Sequence, residues 1–248
     1  MLIMRSVLYN IYLYVLTVSI AVGWLPLVIL GTRETTLLGF RFWGRASLWG
    51  LEKICGTTLE LRGEENLPRD RAVIIASKHH SMWDILVFYA LIENPAFVSK
   101  QELGWIPIAG TFLKKGGTII VNRGAAAKAL KAMIEDVREA LENKRTIIIF
   151  PEGTRSAPGA APDYKPGIAA LYTRLDHACV PVALNSGLYW PRRKFLRKPG
   201  TIVLEFLPAI EPGLSRKDFM IALQSSIETA SNRLLDESKT GRASDLSD

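Results

Sequence analysis

The chain has 248 residues, of which 48% are hydrophobic, enough for one large domain with a smaller appendage. Its formal net charge of +7 indicates an anionic partner: nucleic acid, a phosphorylated metabolite or a lipid headgroup surface. Cys55 and Cys179 are far apart and only three histidines are present, so the sequence supports neither a disulfide framework nor a zinc site.

The start of the chain is typical of a membrane-binding segment. No charged residue occurs from Ser6 to Thr32, a run longer than the roughly 20 residues that cross a bilayer as a helix. Basic flanks at both ends favour a hairpin or interfacial pair over a single crossing: Arg5, Arg33, Arg41 and Arg45. We predict a membrane-binding helical segment over residues 1–56, whose uncharged run can be removed without loss of the remaining fold. A tilted span, a re-entrant pair, an interfacial helix and a signal peptide all stay open.

From residue 57 onward, two kinds of apolar segment alternate. Short apolar runs predict β-strands at residues 57–61, 72–76, 96–99, 116–121, 146–150, 179–184 and 201–206. Longer segments predict helices at residues 85–92, 124–143, 168–175 and 215–235. Strand, helix and strand in succession are typical of a parallel crossover. We therefore predict a single α/β domain over residues 57–235, with a largely parallel sheet covered by helices, and a disordered tail over 236–248.

A histidine and a carboxylate lie where one predicted strand passes into a predicted helix. Ser81 and Asp84 resemble a capping box, so the helix would begin after His79. Asp84 in its first turn would accept a hydrogen bond from the imidazole and leave the other ring nitrogen as a general base. The alternative is that Asp84 only caps the helix, with His79 and His80 as ordinary loop residues.

A second polar cluster follows the predicted strand 146–150, at the position where open α/β sheets bind ligands. The fork of the Arg155 guanidinium matches two phosphate oxygens, and Gly153 lets the backbone approach a ligand closely. The alternative is a polar turn with a local pair between Glu152 and Arg155.

Four blocks occur in order along the chain: His79 with Asp84, Lys100 to Gly110 leading to Arg123, Phe150 to Ser156, and Val180-Pro181-Val182. With these blocks the chain resembles the bacterial 1-acyl-sn-glycerol-3-phosphate acyltransferases of the glycerolipid acyltransferase family. A histidine and an aspartate five residues apart are common by chance, but their combination with Phe-Pro-Glu-Gly-Thr-Arg-Ser at this separation is specific. The resemblance is strong from Ser77 to Val182 and weak elsewhere.

The resemblance implies a role for each matching residue. His79 would be the catalytic base and Asp84 the carboxylate that orients it, and their spacing favours His79 over the adjacent His80. A larger set would hold the acceptor phosphate: Lys100, Arg123, Glu152, Gly153, Thr154 and Arg155. Neither a metal nor a redox cofactor is implied, because the acyl thioester is a co-substrate.

The implied reaction transfers a fatty acyl group from an acyl thioester to the sn-2 hydroxyl of lysophosphatidate, forming phosphatidate in phospholipid biosynthesis without an acyl-enzyme. The donor would be acyl-CoA or an acyl carrier protein thioester. The partners would be these substrates, membrane lipids and, with the second donor, acyl carrier protein, but no nucleic acid. The expected location is the inner membrane of the cell, with the catalytic domain on the cytoplasmic face.

Two other functions remain open at this point. The nearer one is the same chemistry on another acceptor, such as glycerol 3-phosphate or a lyso-aminolipid. The farther one is a non-catalytic membrane adaptor that binds anionic lipid. The basic segment 191–198 carries five cations and is interpreted either as a solvated loop or as a contact for anionic lipid, acyl carrier protein or coenzyme A phosphates.

Overall fold

The computed structural model describes residues 1–68, 70–122 and 126–244. The chain begins with the helices α1 Leu2–Gly23, α2 Leu25–Leu30 and α3 Arg33–Gly50, which are followed by a π-helical turn at Leu51–Cys55. The later helices are α4 Trp83–Leu91, α5 Ala109–Lys115, α6 Ala126–Glu142, α7 Gly167–Leu175 and α8 Arg216–Ser244.

Within the described part of the chain, seven strands form one sheet: β1 Thr57–Arg62, β2 Ile74–Ser77, β3 Pro95–Lys100, β4 Ile119–Val121, β5 Thr146–Ile149, β6 Cys179–Leu184 and β7 Gly200–Phe206. Their spatial order is β1-β7-β6-β2-β5-β3-β4. The five strands from β6 to β4 run parallel, whereas β7 is antiparallel to β6 and parallel to β1. The prediction of an α/β fold with a largely parallel sheet is confirmed, and two reversed strands complete one edge.

Helices cover both faces of this sheet. Alternate residues of the central strands point to opposite sides, so Ile75 and Ile148 pack with α4, whereas Ile74 and Ile147 pack with α6, α7 and α8. The central strands are therefore buried on both faces, which explains their continuous apolar sequences. The edge at which the parallel strands end stays open between the two helical layers.

The carboxyl-terminal helix is longer than the sequence pattern predicts. α8 continues to Ser244, so the expectation of a disordered tail from Asp236 onward is wrong for residues 236–244. The polar extension contacts neighbouring elements: Glu237 forms ion pairs with Arg62 of β1 and with Arg233 one turn earlier in α8, and Ser238 accepts a hydrogen bond from Asn185, which follows β6. Residues 245–248 of the predicted tail lie outside the described residues.

The amino-terminal helices share a core with the α/β domain. Tyr9 of α1 is fully buried, its ring meets Trp190 edge-on, and its hydroxyl donates to the Ser47 carbonyl (3.2 Å). α3 lies directly on α4, where a side chain at Gly44 would approach the Leu86 carbonyl oxygen to 2.6 Å. Removal of the uncharged run would take away Tyr9 and uncover its contacts with Ser47 and Trp190, whereas the expectation from the sequence that the remaining fold is spared stays a prediction.

The outer surface of α1 remains apolar and exposed. In the described residues α1 alone is long and apolar enough to cross a bilayer, judged by length and composition. Its exposed side chains include Ile3, Ile11, Tyr14, Val15 and Val18. The helix thus has one face in the protein core and one face suited to a membrane.

We expect Tyr9→Ala to lower the free energy of unfolding by about 3–5 kcal/mol, because it removes a fully buried aromatic ring and one hydrogen bond. Tyr14→Ala is the matched control on the same helix, since Tyr14 is 74% exposed, and it should change stability by less than about 0.5 kcal/mol. Denaturant unfolding in detergent measures both. Equal effects would contradict the shared core.

Candidate active site

Three of the predicted blocks meet at one edge of the sheet. β2 ends at Ser77, β5 at Ile149 and β3 at Lys100, and these parallel strands are neighbours. Their carboxyl ends therefore lie side by side, where α/β sheets bind ligands. His79 and the loop 150–156 both follow directly from these ends.

The His79 imidazole and the Asp84 carboxylate are in direct contact. His79 Nδ1 lies 2.8 Å from Asp84 Oδ2, which also accepts the backbone N–H groups of His80 (2.7 Å) and Ser81 (2.9 Å). The hydroxyl of Ser186 donates to Asp84 Oδ1 (2.5 Å). The carboxylate therefore closes the turn before α4 and orients the imidazole at the same time, so the two interpretations of Asp84 are compatible.

The charge of Asp84 is held in a fully buried position. Burial acts to raise the pKa of this carboxyl, but the hydrogen bond from His79, the nearby imidazoles and the Ser186 hydroxyl outweigh it and lower the pKa below its usual value. An ionised Asp84 accepts from the Nδ1–H group of His79, which leaves the lone pair on Nε2. The imidazole also stacks on Phe150, with 3.9 Å between ring centroids.

The neighbouring histidine has a different environment. His80 is buried, and its two ring nitrogens have no hydrogen-bond partner among the described residues. Burial is the main reason that its pKa falls to about 4, so the ring is neutral at physiological pH. The geometry favours His79 over His80 as the base.

The loop 150–156 is tied to the turn that carries His79. The backbone N–H of Ser156 donates to the His79 carbonyl (2.9 Å), which brings the loop backbone at Arg155 and Ser156 next to the turn that carries the histidine. Arg192 donates from Nη1 to the Arg155 carbonyl (2.7 Å). Burial, followed by the charge of Arg192, lowers the pKa of the Arg155 guanidinium, and the charge of Arg193 contributes as well. The basic segment 191–198 therefore reaches the site, and its clustered cations favour an anionic ligand.

The remaining predicted phosphate-binding residues are distributed unevenly. Lys100 is exposed at the end of β3, Thr154 is exposed in the loop, and Gly153 has a positive φ of 63°. Arg123 lies outside the described residues. These residues stay predictions, but the exposed ones lie on the open edge of the sheet.

Glu152 points away from a solvent-borne ligand. Its carboxylate is buried and pairs with Lys78 (2.5 Å), whose ammonium also contacts Glu228 of α8 (2.8 Å). Tyr164 donates a further hydrogen bond to Glu228 (2.8 Å). A carboxylate repels a phosphate, so this geometry gives Glu152 a structural part: it joins its loop to the strand end before His79.

Sequence reasoning missed Lys78, Ser186 and Glu228 as contributors to the site, and it left the basic segment that contains Arg192 open between a solvated loop and an anion contact. Lys78 carried one signal, since it is a lysine at the end of an apolar strand. Ser186 and Glu228 lie 102 and 144 residues from Asp84 in the chain, so no local pattern links them to it. Their proximity arises only from the sheet order.

A cavity of about 620 Å³ lies elsewhere, among β4, α6 and the start of α3. Arg33, Lys114 and Arg145 are among its lining residues, whereas His79, Asp84 and Arg155 are not. These three residues thus lie at the carboxyl edge of the sheet and outside this cavity. Among the described residues, no group of three or more His, Cys, Asp or Glu side chains is placed to hold a metal ion.

An imidazole oriented by a buried carboxylate, beside an arginine at the carboxyl edge of a parallel sheet, is an arrangement suited to general-base chemistry on an anionic substrate. The family model described as Acyltransferase matches residues 58–185. This range contains His79, Asp84 and the loop 150–156, together with strands β2 to β6. The chain belongs to this acyltransferase family.

Individual relatives support this assignment. The chain is 33% identical over 168 residues to the 1-acyl-sn-glycerol-3-phosphate acyltransferase of Pseudomonas aeruginosa, covering 68% of this chain and 65% of that protein. It is 30% identical over 156 residues to the enzyme of the same name from Limnanthes alba, covering 62% and 55%. The chain thus spans less than two thirds of the length of these curated relatives.

The fold also has a counterpart among solved structures. The crystal structure of the 1-acyl-sn-glycerophosphate acyltransferase from Thermotoga maritima superposes with a TM-score of 0.77 at 23% identity, covering 94% of this chain and 98% of that one. The shared fold includes the amino-terminal helices as well as the sheet.

We expect His80 to make stability depend on pH. Because the pKa of His80 is about 4 in the folded state and ordinarily 6.5, the unfolded chain binds a proton first as the pH falls. The stability contributed by the neutral ring is therefore complete above about pH 6.5 and falls by about 3 kcal/mol towards pH 4.

The test compares denaturant unfolding of the wild type and His80→Leu across this pH range. The substitution removes the titrating group, so acidification should lower the stability of the wild type more than that of the variant. A difference that stays constant from pH 7 to about pH 4 would contradict the assignment of a buried neutral imidazole.

Proposed function

We propose that this chain transfers a fatty acyl group from an acyl thioester to the sn-2 hydroxyl of 1-acyl-sn-glycerol 3-phosphate, forming phosphatidate. The observation that carries the proposal is the 2.8 Å contact of His79 with a buried Asp84 beside Arg155. The names of the relatives from Pseudomonas aeruginosa and Limnanthes alba support the choice of acceptor.

In the proposed mechanism, His79 Nε2 takes the proton of the acceptor hydroxyl while its oxygen attacks the thioester carbonyl. The tetrahedral intermediate collapses, the carbon–sulfur bond breaks, and the leaving thiolate takes the proton from the imidazolium. Asp84 stabilises the imidazolium between these two transfers. The enzyme thus returns to its starting protonation state after one turnover.

The transfer is direct in this proposal. Cys55 and Cys179 are both buried, and burial raises the pKa of each thiol, so neither resembles an activated nucleophile. The reaction uses no metal or redox cofactor, because the thioester supplies the activated acyl group.

Arg155 is the proposed main ligand of the acceptor phosphate, with Lys100 and Arg123 as further cationic ligands. Gly153 and Thr154 supply backbone and hydroxyl groups in the same loop. Arg192 adds charge next to Arg155, which supports an anion at this position. The phosphate would then hold the glycerol hydroxyl in front of His79.

We further propose that the reaction takes place at the cytoplasmic face of an inner membrane, as a step of phospholipid biosynthesis. The apolar outer face of α1 and the basic residues that flank it support this location. Acyl-CoA and an acyl carrier protein thioester are the two donors to compare, and the exposed cations of segment 191–198 match the anionic surface of either one.

The decisive assay uses purified protein in detergent with both donors against lysophosphatidate. His79→Ala should abolish turnover, whereas His80→Ala should retain much of it, because only His79 contacts Asp84. Asp84→Asn should lower kcat by about 10³–10⁴-fold, since an amide favours the wrong tautomer. An equal loss of turnover in the two histidine variants would contradict the assignment of His79 as the base. Turnover on glycerol 3-phosphate but not on lysophosphatidate would overturn the proposed acceptor.

Arg155→Ala should lower kcat/KM for lysophosphatidate by about 10- to 100-fold, mostly through KM, because it removes a hydrogen bond to a charged group. Arg155→Lys should recover only part of this loss, since an ammonium lacks the bidentate fork. Arg216→Ala, which removes an exposed arginine at the start of α8, is the control for loss of charge. The KM of the thioester should barely change. A raised thioester KM with an unchanged acceptor KM would instead place the donor at Arg155.

A further inference from the structure

A second exposed apolar surface lies on the α/β domain itself. Residues 101–105 form a 3₁₀-helix directly after β3, and α5 follows from Ala109. This connection exposes four large apolar side chains, here named the loop patch: Leu103, Trp105, Ile106 and Ile108. Trp105 is 68% exposed, so the connection does not serve to bury its aromatic ring in the core.

On the inner side of this connection, the backbone at Gly110 packs closely against the backbone at Gly104. A side chain at Gly110 would approach the Gly104 carbonyl oxygen to 2.4 Å, and the Gly110 N–H donates to the Ile106 carbonyl (2.7 Å). The two backbone segments therefore pack closely against each other. The apolar side chains of the loop patch have no room on that side and stay on the outer surface.

The loop patch leads into a helix that contacts the amino-terminal helices. α5 contacts both α2 and α3, and Phe112 of α5 packs against Phe40 of α3. α2 also exposes Leu27, Ile29 and Leu30. Exposed apolar residues thus occur on contacting elements from two separate parts of the sequence, a distribution that is typical of an interaction surface.

The charged residues around the loop patch are three lysines and one glutamate, a net positive set. Lys100 is exposed immediately before the patch, Glu102 is exposed within the 3₁₀-helix, and α5 ends in Lys114 and Lys115. Tryptophan beside lysine is the composition that suits the headgroup layer of an anionic bilayer. A second copy of this chain fits less well, because a two-fold contact would bring the same cations together.

We propose that the loop patch inserts into the headgroup and upper acyl region of an anionic bilayer, as a membrane contact separate from α1. Lys100 lies at the open sheet edge and directly before this patch, so insertion brings the site to the level of lipid headgroups. A membrane-bound acceptor then enters from the bilayer plane. The use of this contact in catalysis rests on the proposed function, whereas the test measures membrane insertion alone and does not depend on that function.

The test measures the depth of spin labels in the full chain bound to vesicles of phosphatidylglycerol and phosphatidylethanolamine. Trp105→Cys carries the label in the loop patch, and Ile221→Cys, at a 58% exposed position on α8, is the matched control. The native cysteines are buried and react poorly. On vesicle binding, the label at 105 should gain access to oxygen and lose access to an aqueous nickel complex, while the label at 221 keeps its aqueous access.

Unchanged aqueous access at both positions would overturn the proposal. Spin–spin broadening at 105 without vesicles would also overturn it, because the patch would then bind a second copy. The measurement needs no turnover. If the wild type is inactive while the label on the Trp105→Cys variant enters the bilayer, the acyl transfer is refuted and the membrane contact stands.

A second variant links the contact to catalysis. Trp105→Ser with Ile106→Ser should raise the KM for lysophosphatidate in vesicles by about tenfold or more, because two apolar side chains lose their burial in lipid. The KM for a short-chain acceptor dissolved as monomers should stay the same. Equal KM changes for the two forms of acceptor would contradict membrane docking by this patch.

Discussion

The site depends on one buried charge, the carboxylate of Asp84. A carboxylate taken out of water is costly unless hydrogen bonds replace its hydration. Here the His79 ring, the backbone N–H groups of His80 and Ser81, and the hydroxyl of Ser186 supply them. These donors come from the turn after β2 and from the segment after β6. One side chain thus fixes two strand ends, the start of α4 and the direction of the imidazole.

A second ionic network contacts the same turn through Lys78. Lys78 immediately precedes His79, and its buried ammonium joins Glu152 of the neighbouring loop to Glu228 of α8. The loss of Lys78 would leave the buried carboxylate of Glu152 without its cation, which is far more costly than the loss of an exposed pair. The position of the imidazole is therefore determined by both helical layers, although His79 itself lies at the surface edge.

Much of the fold follows from local patterns, because period and length distinguish the buried strands and the helices on them. The reversed edge does not: β1 and β7 have ordinary strand sequences, and their direction depends on which neighbour they pair with. The His79–Asp84 contact was predictable because both residues belong to one turn. The inward direction of Glu152 was not, since it depends on Lys78 and on Glu228 from a distant helix.

The close packing of α3 on α4 has a consequence for protein engineering. α4 carries Asp84 near its start and packs against α3 at Gly44, so the same helix contributes to the candidate site and to the contact with the amino-terminal helices. Cutting the chain at residue 56 would expose the face of α4 that packs on α3. For crystallisation or screening, the structure favours exchanging outward apolar residues of α1, such as Ile11 and Val15, for polar ones while the buried Tyr9 is retained.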